Sequence, residues 1–217
     1  KKSSARKHAH VARATSIPDL QSKIKQQIVN AIEINEIESG SVYVKNFKTN
    51  EELTINIQFK YTPASLLKVP LAMSFYKIAE AEPEILDKKI IFTEDATAST
   101  IIQYSVPEQQ LILGDEYTIR ELIRRILIYS DNNAMRLLLS QRQEEQFTDV
   151  YTKLEVVLPR DDTTDNYMIA KDYARFFDSL YHADYNTKAY SDTILELLRQ
   201  ATFRKGLDWG VPDDVRI

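Results

Sequence analysis

The 217-residue chain contains no cysteine and only three histidines. The first absence removes thiol nucleophiles, thiolate zinc sites and disulfide frameworks together. It leaves the compartment open, since exported proteins also manage without cysteine. His8 and His10 sit in a polar N-terminal stretch, where they bind stray metal weakly at most, and His182 stands apart, so a histidine-based triad has His182 alone to draw on. No metal site and no cofactor is expected. No apolar run approaches the roughly 18 residues that a membrane-crossing helix needs. An excess of charge is missing too: 28 Lys and Arg stand against 32 Asp and Glu, a formal net charge of −4 with the acids scattered. Such a chain projects no basic field toward nucleic acid. What is present, 43% apolar and 28% charged residues, is the composition of an ordinary globular protein with a sizeable core.

Residues 1–15 read as a basic, disordered leader, in which Lys1, Lys2, Arg6, Lys7 and Arg13 face no acid. The chain opens on lysine rather than methionine, which implies residues upstream, and an export signal is expected among them. Residues 16–217 are expected to form one domain. Ser16-Ile17-Pro18 starts a helix with Leu20, Ile24, Ile28 and Ile32 on one stripe, running to about Asn35. After Gly40, Val42 and Val44 and then Leu53, Ile55, Ile57 and Phe59 alternate with polar residues around Lys48-Thr49-Asn50-Glu51, which predicts a β-hairpin. From Pro63 the pattern is helical over 65–81, 118–129, 133–141, 144–153, 168–182 and 188–201. Thr118-Ile119-Arg120-Glu121 is a capping box. The fold class is therefore α+β, an antiparallel sheet packed with helices plus an all-helical lobe. Two strands alone do not make a stable sheet, so the hairpin needs either further strands after Ile217 or helices to pack on.

Ser-x-x-Lys occurs at Ser4, Ser22, Ser65 and Ser74, and the bare pattern carries no information. Ser4 is in the leader, Ser22 is on the polar side of the first helix, and Ser74 is mid-helix. Ser65 alone falls where a strand gives way to a helix start, marked by Thr62-Pro63-Ala64. There the backbone N–H groups lack intrahelical partners and can stabilise an oxyanion. Lys68 lies one turn along on the same face, and its apolar neighbours Leu66, Leu67, Val69 and Leu71 would desolvate it into a general base. A capping serine followed by a solvated lysine satisfies the same tetrapeptide. Tyr129-Ser130-Asp131-Asn132 lies between two apolar helices. Read alone it is a helix–helix turn with an Asp or Asn cap; read with Ser65, Ser130 becomes a proton relay and Asn132 an amide donor to substrate.

Together and in this order, the two segments resemble the penicillin-recognising serine hydrolases of the class A β-lactamase type, whose boxes are Ser-x-x-Lys, Ser-Asp-Asn and Lys-Thr-Gly. Gln103-Tyr104-Ser105-Val106-Pro107 through Gly114 and Tyr117–Leu122 extend the similarity, which covers roughly residues 17–217. The resemblance implies that Ser65 is acylated, Lys68 is the base or orients it, Ser130 shuttles the proton, Asn132 binds the substrate amide and Tyr104 walls the cleft. It also implies a small-molecule β-lactam or a peptidoglycan stem peptide as partner, a monomer, and an extracytoplasmic bacterial setting.

Two departures qualify these expectations. The third box is absent, and Gly206-Leu207-Asp208-Trp209-Gly210 resembles the stretch that precedes it, so the chain is expected to be truncated before its Lys-Thr-Gly strand and the strands around it. Between Asn132 and Asn166 there is also no Glu-x-x-Leu-Asn to activate a deacylating water. The nearest candidates are Glu155, then Asp161, Asp162 and Asp165, each of which reads equally as a solvated loop residue. Acylation without efficient release is expected, with a D-alanyl-D-alanine peptidase, a penicillin-binding sensor or trap that stays acylated, and a scaffold without catalysis as the alternatives.

Overall fold

A computed structural model of the chain describes residues 16–93, 110–158 and 168–202. Tyr104, Asp161, Asp162, Asp165, His8, His10, the leader and the Gly206–Ile217 stretch lie outside the described residues. Contacts divide the chain into two compact units, Lys1–Phe59 and Lys60–Ile217.

In the first unit, helix α1 spans Ile17–Glu33. Ser16 Oγ caps it by accepting from Asp19 N at 3.3 Å, and Pro18 occupies the first turn, where its missing N–H leaves no bond unmade. Asn35 then takes φ 56° and ends the helical path. Strand β1 (Val42–Lys45) pairs antiparallel with β2 (Glu52–Ile55), Val42 opposite Ile55 and Lys45 opposite Glu52. The turn is set by Asn46, whose Oδ1 accepts from Lys48 N at 2.9 Å and Thr49 N at 3.3 Å, and by Asn50 at φ 58°. Leu53 and Ile55 point inward, and α1 packs on β2, with Gln21 Nε2 donating to Thr54 O at 2.8 Å. The hairpin thus has its helical support. The alternation predicted to reach Phe59 stops at Ile55 because Asn56 turns the chain at φ 50°, donating from Nδ2 to Gly40 O at 2.8 Å.

The second unit is built around helix α2 (Lys68–Ala79), in which Lys77 is the one residue not buried. A helix buried on nearly all sides and apolar over most of them belongs in the middle of a core. It is entered through a 3-10 turn, Ala64–Leu67, so the helix expected from Ser65 begins its α-helical bonding three residues later. Pro70 falls in the first turn, where it removes no helical bond. Around α2 lie α3 (Ile119–Ile128), α4 (Asn132–Ser140), α5 (Glu144–Lys153), α6 (Ala170–His182) and α7 (Lys188–Arg199). They contribute Leu122, Ile126, Leu138, Tyr151, Phe176 and Ile194 to one buried cluster, at about 1.5–3 kcal/mol for each fully buried large side chain. The ends of α3 to α7 match the predicted ones to within a residue or two. Of the capping box the hydroxyl half forms: Thr118 Oγ1 accepts from Glu121 N at 3.1 Å. A second antiparallel pair, β3 (Lys89–Ile91) with β4 (Glu116–Thr118), was not foreseen. The fold is α+β, helix-rich with small antiparallel sheets, as the sequence implies.

Candidate active site

Three segments of the second unit meet at Lys68. The first is the 3-10 turn that carries Ser65. Upstream, Tyr61 and Met168 exchange both backbone bonds, N to O at 3.0 and 2.8 Å, which ties the approach to the start of α6. Ala64 then adopts φ 46°, a left-handed conformation that costs a residue with a Cβ about 1–2 kcal/mol. This kink delivers Ser65 exposed, with its backbone N–H offered no acceptor among the described residues. The N–H is therefore placed as an orphan donor of a helix start, as the sequence suggests.

The second segment is the N-terminus of α2. Lys68, only 2% exposed, extends Nζ to four oxygens: Ser65 Oγ at 3.0 Å, Ser130 O at 2.7 Å, Ser130 Oγ at 2.8 Å and Asn132 Oδ1 at 2.8 Å. The third segment is the α3–α4 turn that supplies Ser130 and Asn132. Ser130 takes φ 55°, and Ser130 Oγ donates to Ser65 Oγ at 3.0 Å, closing a triangle of two hydroxyls and one amine.

The chemistry follows from which of these groups can give a proton. Ser130 O and Asn132 Oδ1 only accept, so they take two N–H bonds from Lys68 in any protonation state. The third direction at Nζ faces serine hydroxyls, which both donate and accept. When the amine is neutral its lone pair lies toward those hydroxyls; when it is charged, its third N–H does. This geometry allows a proton to pass between Lys68 and a serine while the other two bonds stay fixed. Burial lowers the lysine from its ordinary 10.5 to about 8, and the nearby Asp131 carboxylate opposes that fall. With Oδ1 held by Lys68, Asn132 turns its amide nitrogen away from the lysine.

Asp131 holds the turn in shape. It is the N-cap of α4: Oδ1 accepts from Asn133 N at 2.9 Å and Ala134 N at 3.1 Å, while Oδ2 accepts from Arg125 Nε at 2.8 Å. Both members of this ion pair are buried, at 5% exposure for Arg125 and 2% for Asp131. The turn is thus at once the capped helix junction and the site segment, so the two readings of Tyr129–Asn132 are compatible. Arg125 escaped the sequence reading. In Arg124-Arg125 it looks like half of a solvated basic pair, and its six-residue spacing to Asp131 crosses a helix end rather than following a helical face.

The structure separates the serine motifs. Ser74 is buried, its Oγ donating to Leu71 O at 2.7 Å, and Lys77 pairs with Glu80 at 2.7 Å. Ser22 and Lys25 are exposed on α1. His182 sits at the C-terminal end of α6 against Asp178, with Nδ1 3.0 Å from the carboxylate, and takes no part in the Lys68 network. Glu155 follows α5 at φ 53°, exposed and paired with Arg175 Nη1 at 2.8 Å. Among the described residues no carboxylate hydrogen-bonds to Ser65, Lys68 or Ser130, and no group of His, Cys, Asp or Glu forms a candidate metal site. No described helix is long and apolar enough to cross a membrane.

An α+β fold that places a serine, a buried lysine and a second serine in one network is of the β-lactamase-like class. The match of the beta-lactamase enzyme family to residues 23–217 places the chain in that family. Solved structures agree in fold. A beta-lactamase from Sphaerobacter thermophilus superposes with a TM-score of 0.72 at 20% identity, over 88% of this chain and 74% of that one. The class A beta-lactamase of Mycobacterium abscessus gives 0.71 at 16% identity over 92% and 76%. PBP-A, seen in mutant form as an acyl-enzyme with penicillin G, gives 0.73 at 16% over 91% and 74%. No curated protein matches in sequence.

Proposed function

We propose that the protein is a serine acyl-transfer enzyme that opens β-lactams, or related amides, through an ester on Ser65 and releases the product slowly. The observation that carries this reading is the triangle of Ser65 Oγ, Lys68 Nζ and Ser130 Oγ, each pair within 3.0 Å. Neutral Lys68 takes the Ser65 proton as Oγ attacks the carbonyl carbon. The oxyanion forms at the orphan Ser65 N–H. When the C–N bond breaks, Ser130 gives its proton to the leaving nitrogen and recovers one from Lys68. Asn132 donates its amide to the substrate's acyl side chain. Peptidoglycan stem peptides, the related amides in view, belong to the cell envelope, so the protein is proposed to work outside the cytoplasm.

Slow release is favoured by Glu155, whose carboxylate is turned to Arg175 rather than to the Ser65 network. On this reading the acylated protein persists, as a sensor or trap would. The test is a fluorescent penicillin applied to the full-length protein and to Ser65→Ala and followed over hours. Stable label on the wild type and none on the variant is expected. Label on Ser65→Ala, or no label on either, would overturn acylation at Ser65. Steady-state nitrocefin turnover near an ordinary enzymatic rate of about 10 per second would overturn slow release.

A further inference from the structure

Asp131 brings a problem with it. A carboxylate buried between the two site residues Ser130 and Asn132 attracts a proton onto the lysine that must surrender one. Its own hydrogen bonds show how that charge is occupied: one oxygen spans two N–H groups at the start of α4, and the other is held by Arg125 Nε at 2.8 Å. We propose that Arg125, which touches none of the reacting groups, is a positioning residue that sets the charge state of Lys68 by occupying the Asp131 carboxylate. This rests on the acyl-transfer reading for its purpose but not for its physics.

Among the described residues, the charge that bears on Lys68 is Asp131 in the α3–α4 turn, and Arg125 on α3 holds that carboxylate from behind. The α4 helix presents the uncharged Asn132 to Lys68 and carries half-buried Arg136 one turn further on. Helix α5 carries half-buried Asp149, which bonds to Tyr185, and α5 and α7 contribute buried Val150, Tyr151 and Ile194 to the core around α2. The Pro83–Asp87 turn that also packs on α2 pairs its Asp87 with Arg120 at the surface, and the next lysine on α2, Lys77, is engaged with Glu80. The Asp131 carboxylate raises the proton affinity of Lys68 against the dominant lowering by burial. A guanidinium fixed on that carboxylate repels the lysine's charge and so offsets part of the attraction.

Opposite substitutions should therefore move the lysine in opposite directions. In Arg125→Gln the carboxylate is released, and the Lys68 midpoint rises from about 8 by about one pH unit. In Asp131→Asn, which keeps a capping side chain, the attraction is lost and the midpoint falls. Arg125→Lys retains the charge and stays near the wild type, and the double variant Arg125→Gln with Asp131→Asn returns toward it. The midpoint is read directly by NMR titration of the Lys68 Cε–Hε signals, assigned by their loss in Lys68→Met, and separately from the pH profile of the penicillin-labelling rate. At neutral pH the Arg125→Gln labelling rate should fall by about tenfold for each unit of the rise. Loss of folding would by itself carry the Lys68 midpoint up toward 10.5 and abolish labelling, so a rise counts only in a variant that keeps the circular dichroism of the wild type, and Arg125→Lys and Asp131→Asn remain informative where Arg125→Gln does not fold. Equal midpoints in all variants, or single variants that shift the same way, would overturn the proposal. If the wild type takes no label, acyl transfer fails as a reading while the titration still decides the role of Arg125.

Discussion

Lys68 concentrates the conflict of this site in one side chain. On the acyl-transfer reading its ammonium is useful only if it can be discharged, and burial favours that by making the charged form costly. With a midpoint of about 8, about one Lys68 in ten is neutral at pH 7 and half are neutral at the midpoint. The second-order rate of penicillin labelling should then climb about tenfold per pH unit below that midpoint and level off above it. Rates measured from pH 6 to 9 check this, and a flat profile would remove Lys68 as the base. At this scale the sequence was informative where context was local. Ser65 stood out among four Ser-x-x-Lys occurrences by its place before a helix, and Ser130 and Asn132 by lying at a helix junction. The Arg125–Asp131 pair was illegible, because a buried ion pair is declared by the packing around it and not by the residue types.

At the scale of elements, helices were legible because their apolar period repeats over three or more turns and their caps are chemical. Ser16, Thr118 and Asp131 each accept from the backbone in the cap position that the sequence offers. Strands β3 and β4 were missed because three residues each are too short to display alternation, and their partners lie far apart in the chain. The end of α6 carries a local misfit. Ala183 occupies the C-terminal cap at φ 57°, ψ 41°, with Ala183 N and Asp184 N both bonded to Ser179 O. Glycine reaches this conformation without the Cβ clash. Ala183→Gly should therefore stabilise the protein by about 0.5–1 kcal/mol in urea denaturation, after the added entropy of the unfolded glycine is deducted. Lower stability of the variant would show that the alanine side chain contributes packing that outweighs the strain.

Across the whole molecule, the site and the core respond to alkaline pH with opposite signs. Lys68 titrates near 8 in the fold and at 10.5 when unfolded. Below 8 both states hold the proton and the fold carries the full cost of the buried charge. Between 8 and 10.5 the unfolded chain binds more protons than the native one, so stability rises with pH, by up to about 3 kcal/mol at 1.36 kcal/mol per pH unit. Burial raises Tyr76, Tyr151, Tyr173 and Tyr185 above their ordinary 10.0. Above pH 10 the unfolded tyrosines lose protons that the native ones keep, and stability falls. The difference between wild type and Lys68→Met isolates the first effect, because the tyrosines and the lost hydrogen bonds enter it as a constant. Urea denaturation of both proteins from pH 7 to 11 should show the difference growing in favour of the wild type between 8 and 10.5, then holding level, while both proteins weaken above 10. A difference that stays flat across that window would mean that Lys68 keeps an ordinary proton affinity in the fold. Ser65 would then have no base beside it, and acylation would have to draw its proton acceptor from elsewhere.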